Sequence, residues 1–121
     1  MRIALTSSGN TSGSPLDERF GRAATFAVYD TDSKQFEFHS NTKGVETSGG
    51  AGIQAAEAVS RLGASKLVTG HIGPKAFRAL AAAGVEVYTC AGGFTVAEAL
   101  EELLAGRLQR AGSADVEGHW V

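Results

Sequence analysis

One cysteine, three histidines and three glycine-rich segments are the features of this 121-residue chain with the most evident chemistry. Cys90 closes a run of strand-forming residues just before Ala91-Gly92-Gly93, where its side chain is directed toward the loops beyond the strand ends. Its thiolate is a natural ligand for iron or copper, whereas a buried free cysteine behaves as a small hydrophobe. One thiol cannot by itself hold a conventional four-thiolate cluster. His71 lies between Gly70 and Gly73. A neutral imidazole there can ligate a metal and a protonated one can pair with an anion, while its plainer role is a hydrogen bond that fixes the loop. His39 falls on the polar face of a strand and reads as solvated; His119 sits in the tail beside Trp120, where a transient metal contact is one reading and a disordered surface position the plainer one. Asp17 and Arg19 precede Phe20-Gly21. Arg19 can steer an anion, Asp17 can pin its loop through a salt bridge or a cap, and Phe20 anchors the loop in the core.

Three predicted helices start from Ser48-Gly49-Gly50-Ala51-Gly52, from Gly70 to Pro74, and from Gly92-Gly93-Phe94-Thr95. Unpaired N–H groups at a helix start carry partial positive charge, each favouring an anion by about 0.3–1 kcal/mol, and glycine lets a ligand approach the backbone closely. Taken singly, each segment reads as a tight turn. Together with Ser8 and Gly9 at the opening of the first loop, the set Gly49, Gly50, Gly70, Gly73, Gly92 and Gly93 makes a candidate anion-binding rim. Lys75 and Arg78, on the first turns of the second helix, read as solvated, with Lys75 able to add positive potential.

The elements that must position these residues follow from periodicity. Residues 2–8 alternate as a first strand, and residues 9–22 form a loop that is long for so small a domain. Residues 25–30 and 35–40 are β-branched and aromatic, and the polar tetrapeptide between them predicts an antiparallel hairpin. Phe36 and Phe38 share one face of the third strand, with Glu37 and His39 on the other. A second loop spans residues 41–50. Ile53, Ala56 and Val59 then recur at helical spacing before Gly63. A strand at 65–69 leads to a helix opened by Pro74, burying Phe77, Leu80 and Ala81 and ended by Gly84. The last strand covers 85–90. Thr95-Val96-Ala97-Glu98 is a capping box, and Val96, Ala99, Leu100 and Leu103 form the apolar stripe of the last helix, which Gly106 closes.

The order βββαβαβα predicts an α/β fold: a mixed five-stranded sheet, antiparallel in its first half and parallel in its second, flanked by helices. If the first strand lies beside the fourth, the loops after strands one, four and five meet at the carboxyl ends of the strands, where open α/β sheets bind ligands. Residues 1–110 read as one domain and 111–121 as a polar tail. A net charge of −2 and a pI near 5.9 disfavour binding to nucleic acid through phosphates. The lone cysteine is consistent with a reducing compartment, and no apolar stretch suits a signal peptide or a membrane span, so the expectation is a cytoplasmic protein with no membrane partner.

Several segments, in order, resemble the dinitrogenase iron–molybdenum cofactor biosynthesis family. They are SPLDERFGRA at 14–23, GGAGIQAAE at 49–57, LVTGHIGPKAFRAL at 67–80 followed by AGVEVY at 83–88, and TVAEAL at 95–100. The likeness runs from the first strand to about Gly106. The family includes stand-alone nitrogenase accessory proteins (NifX-like) and domains fused to larger assembly enzymes (the NifB C-terminal domain). The resemblance implies a ribonuclease H-like motif. It also implies a non-catalytic carrier of an anionic iron–sulfur or iron–molybdenum–sulfur cluster, held transiently and exchanged with cofactor-assembly or recipient metalloproteins. On that basis Ser8, Gly9, Asp17, Arg19, the six rim glycines and His71 are candidate cofactor contacts, and Cys90 and His71 candidate metal ligands. A small-anion or nucleotide-binding regulatory domain is the alternative, although no Walker or dinucleotide fingerprint is present. A metal-dependent nuclease fits less well, because the only strand acids are Asp30, Glu37 and Glu86.

Overall fold

The computed structural model describes residues 1–41 and 50–112. Nine elements follow in the order β1 (Arg2–Ser7), β2 (Thr25–Asp30), β3 (Gln35–Ser40), α1 (Ala51–Arg61), β4 (Lys66–Thr69), α2 (Pro74–Ala82), β5 (Glu86–Thr89), α3 (Val96–Leu104) and β6 (Gln109–Arg110). The predicted α/β order holds, with one correction. Among the described residues the sheet has six strands, in the order β3-β2-β1-β4-β5-β6. The sixth is only two residues long, Gln109 and Arg110 pairing antiparallel with Thr89 and Tyr88.

The antiparallel half is the hairpin β2–β3, with Phe26 opposite His39 and Ala27 opposite Phe38. Its turn is held by the Asp30 carboxylate, which accepts the N–H of Asp32 at 2.8 Å, and by Lys34, which takes φ 58° and donates its N–H to Asp30 O. β1 pairs antiparallel with β2 and parallel with β4, and β4 is parallel to β5. Being central, β1 is buried on both faces. Ala4 joins a core with Ala55, Ala56 and Val59 of α1 and Ala76 and Leu80 of α2. Ile3 and Leu5 join a second core with Val96, Ala99, Leu100 and Leu103 of α3. Two helices therefore cover one face and one covers the other.

Two buried positions differ from expectation. Ile53 is exposed, and α1 packs through Ala51, Gly52, Ala55, Ala56 and Val59. In α2 it is Ala76, not Ala81, that is buried alongside Leu80, and Phe77 is half-buried. In helices this rich in alanine, small residues on either side of the stripe are equally able to face a close neighbour, so apolar spacing leaves the contact face ambiguous. Residues 42–49, with Gly49 of the candidate rim, and residues 113–121, with His119 and Trp120, lie outside the described residues. Ala111 donates its N–H to Val87 O at 2.8 Å. Among the described residues no helix is long and apolar enough to cross a membrane.

Candidate functional site

β1 and β4 are parallel neighbours, so their carboxyl ends and the loops beyond them come together. The long loop after β1 does not project into solvent; it crosses these ends. Asp17 donates its N–H to Thr6 O at 2.9 Å. The buried Thr6 hydroxyl donates to Asp17 O at 2.7 Å and stands 3.0 Å from the hydroxyl of Thr69, the last residue of β4. His71 N–H then donates to Glu18 O at 2.7 Å, and Phe20 N–H donates to His71 O at 3.2 Å. Arg19 and His71 thus face each other as a short parallel bridge. Phe20 anchors the segment as expected, fully buried with its ring 6.2 Å from that of Phe26.

Two shallow depressions flank this bridge. One, of about 580 Å³, is lined by Ser8, Asp17, Glu18, Arg19 and His71 together with Pro15 and Leu16. The other, of about 260 Å³, is lined by Gly70, His71, Cys90 and Gly92 together with Glu18, Thr89 and Ala91. Seven of the candidate site residues therefore meet at the carboxyl ends of β1, β4 and β5. The others do not. Gly9 packs beneath the Ser14 side chain, Gly73 is a buried N-cap, and Gly93 is exposed at φ 96°. Gly50, the N-cap of α1, opens onto a separate depression beside Asn41 and Arg61.

Glu18 lines both depressions, and the sequence analysis did not single it out. The signal was in two glycines remote from it. A β-carbon at Gly70 would stand 2.8 Å from both Cα and O of Glu18, and one at Gly92 would stand 2.5 Å from a Glu18 carboxylate oxygen. Both glycines are there because the backbone and side chain of Glu18 pass over them.

The candidate anion rim is corrected at α3. Val96 and Ala97 donate their N–H groups to Ser14 O and Ser12 O, both at 2.9 Å. The capping box is complete, with Glu98 N–H donating to Thr95 Oγ1 at 3.1 Å and Thr95 N–H to Glu98 Oε1 at 2.9 Å. The start of α3 thus holds the first loop in place and has no donors left for a ligand. Asp17 and Glu18 line the larger depression together with the exposed Arg19. Asp17 uses one oxygen to accept Arg19 N–H at 3.1 Å, which pins the loop as an Asx turn and not through a salt bridge.

Cys90 is 6% exposed and packs in the core with Ile3, Leu5 and Val96 while bordering the smaller depression. Burial, with a smaller contribution from the Glu102 carboxylate, pushes its thiol above the ordinary range, so at neutral pH the sulfur is protonated. Among the described residues no three His, Cys, Asp or Glu side chains are grouped closely enough to hold a metal ion. Among the described residues the donor set on this crevice is therefore sparse: one buried thiol, one imidazole and the carboxylates of Asp17 and Glu18.

A sequence profile of the family described as dinitrogenase iron-molybdenum cofactor matches residues 1–106. The apo form of the orange protein from Desulfovibrio gigas is 41% identical and superposes with a TM-score of 0.92, covering 95% of this chain and 96% of that one. A Thermotoga protein described as a candidate NifB protein of the DUF35 family is 36% identical, with a TM-score of 0.84 and coverage of 97% and 98%. An uncharacterised protein of Methanocaldococcus jannaschii is 25% identical over 112 residues, 91% of each chain.

Proposed function

Because this chain belongs to the dinitrogenase iron-molybdenum cofactor family, we propose that it is a non-catalytic protein that takes up an iron–sulfur or iron–molybdenum–sulfur cluster, or its precursor, and passes it on during metallocofactor assembly. The observation that carries this is the double depression at the carboxyl ends of β1, β4 and β5, with Cys90 and His71 on its lining. The likeness to a protein known in an apo form supports it. The cluster is cargo here, not a resident group. A single protonated thiol and one imidazole provide labile attachment, so the cluster must complete its ligand shell with its own sulfides or with a partner's residues. Ligation by Cys90 requires loss of its proton, so uptake strengthens as pH rises toward the thiol's raised pKa.

The charges in the crevice refine the expectation of a simple anion site. Arg19 attracts an anionic cluster, whereas Asp17 and Glu18 oppose it. Attachment then rests on soft-ligand chemistry at Cys90 more than on a field of helix N–H groups, and Glu18 joins Ser8, Asp17, Arg19, Gly70, His71 and Gly92 as a contact residue. The ribonuclease H-like motif and a cytoplasmic setting, with assembly or recipient metalloproteins as partners, belong to the same proposal. The nuclease alternative finds little support. Glu37 bonds Arg2, Glu86 accepts from the Tyr88 hydroxyl, and the Asp30 carboxylate is turned into its own hairpin, so the three strand acids do not share a site.

Anaerobic reconstitution with iron, sulfide and molybdate tests the proposal, with metal and acid-labile sulfide measured in the native protein, in Cys90→Ala and in His71→Ala. The expected result is a coloured native protein with stoichiometric metal, and loss of most of it in Cys90→Ala. A native protein that retains no metal while remaining folded would overturn autonomous cluster binding.

A further inference from the structure

Among the described residues, the two edges of the sheet are managed differently. At one end β6 is two residues long and carries Arg110, both devices that discourage pairing with another chain. At the other end β3 is six residues long, Gln35-Phe36-Glu37-Phe38-His39-Ser40, with no proline, glycine, lysine or arginine. Its aromatic face is incompletely covered. Phe36 and Phe38 are half-buried, their rings stacked at 5.8 Å, while α3 packs over β1 and β4 in the middle of the sheet.

The orientation of the edge follows from the hairpin. Asn41 donates its N–H to Ala24 O at 2.9 Å, continuing the β2–β3 register in which Thr25 lies opposite Ser40. Backbone groups alternate along a strand, so those of His39 and Glu37 also point toward β2, and those of Phe38 and Phe36 point away from the sheet. The outward N–H and C=O of Phe38 form a docking position for another strand.

We propose that this edge pairs antiparallel with the same edge of a second copy of the chain, on a two-fold axis through Phe38, to give a continuous twelve-stranded sheet. A two-fold pairing must keep each residue opposite one on the same face, which leaves only alternate registers. Centring on Glu37 would set Glu37 against itself, and centring on His39 would set His39 against itself. Centring on Phe38 exchanges the Phe38 N–H and C=O between copies and stacks one Phe38 ring near the other. It also places Glu37 opposite the second copy's His39, twice by symmetry. In this register the cross-strand pairs are of opposite charge when His39 is protonated and remain hydrogen-bonding partners when it is neutral. Glu37 already accepts from Arg2 at 2.7 Å and approaches its own His39 at 3.4 Å, so the second copy's His39 adds to an existing charged row. The inference does not depend on cluster binding, because β3 lies at the opposite edge of the sheet from Cys90's neighbour β6.

Sedimentation of the full chain over a concentration series tests this, comparing native protein with Glu37→Lys and with the charge-exchanged Glu37→Lys/His39→Glu. The expected result is a reversible native dimer, weakened about tenfold or more by Glu37→Lys and recovered in the double variant. In the native protein the Phe38 amide should also gain protection from hydrogen exchange as concentration rises. A native chain that stays monomeric up to ~1 mM, or a dimer that neither variant changes, or a dimer whose Phe38 amide gains no protection, would overturn the proposal. Circular dichroism of each variant separates loss of pairing from loss of fold.

Discussion

At the scale of single residues, the site depends on what passes over Gly70 and Gly92. The two positions look alike in sequence, yet they differ in what a side chain would meet. At Gly70 the obstruction is the main chain of Glu18, which is held on one side by the His71 N–H on Glu18 O and on the other by the Asp17 N–H on Thr6 O. At Gly92 it is the far end of the Glu18 side chain, which is exposed and can swing away. Gly70→Ala is therefore expected to cost about 1–3 kcal/mol, as overpacking against fixed backbone does, and Gly92→Ala clearly less. Urea denaturation of the two variants checks the order. Adding Glu18→Ala should relieve the Gly92 variant and leave the Gly70 variant as impaired as before; equal rescue of both would show that the backbone of residue 18 is not the obstacle. The position of Cys90 was legible in the sequence, since a strand run ending just before glycines fixes where the residue falls. The part played by Glu18 was not, because it consists of contacts across more than fifty residues of chain that leave no local pattern.

At the scale of elements, the helices and the hairpin were legible because each carries its own periodicity and stop signal. Gly63, Gly84 and Gly106 all take positive φ after a helix, as their places in the sequence suggested. β6 was not legible: two exposed residues have no period, and they form a strand only because the edge of β5 is open to them. The capping box at Thr95 was legible too, but not its second duty. The first turn of α3 fastens the long loop, Val96 and Ala97 reaching Ser14 and Ser12 while Pro15 bridges to Thr95. Thr95→Ala is expected to destabilise the protein by about 1 kcal/mol, the usual cost of a lost cap. It should also raise hydrogen exchange at the amides of Val96 and Ala97 more than at those of Leu103 or Leu104. Uniform acceleration along α3 would instead mean that the cap supports the helix without supporting the loop.

At the scale of the whole molecule, the order of the sheet could be expected from alternating strands and helices, and the meeting of three loops follows from it. The balance of charge that governs stability could not, because it depends on which side chains meet across the surface. Three surface carboxyls, Glu37 exposed and Asp30 and Glu102 partly so, are held below their ordinary range: Asp30 chiefly by the Asp32 N–H, Glu37 by Arg2 and Glu102 by Arg107. Each favours the folded state when ionised. Their contribution is present above the ordinary carboxylate pKa and is lost as pH falls through the depressed folded values. Cys90 has the opposite sign. Burial raises its thiol, so in the alkaline range the folded chain keeps a proton that the unfolded chain releases. Its contribution is complete below the ordinary thiol pKa and declines as pH rises through that value toward the folded one. Stability measured by urea unfolding across pH should therefore fall on both sides of neutrality, the acid limb being salt-sensitive because its ion pairs are exposed. Cys90→Ala should flatten the alkaline limb and leave the acid limb unchanged. The same proton links stability to uptake of cargo, since metal bound through Cys90 must displace it. Loading the protein with cluster should then also remove the alkaline decline, whereas a loaded protein that still loses stability there, with a limb that Cys90→Ala abolishes, would place the cluster on other ligands.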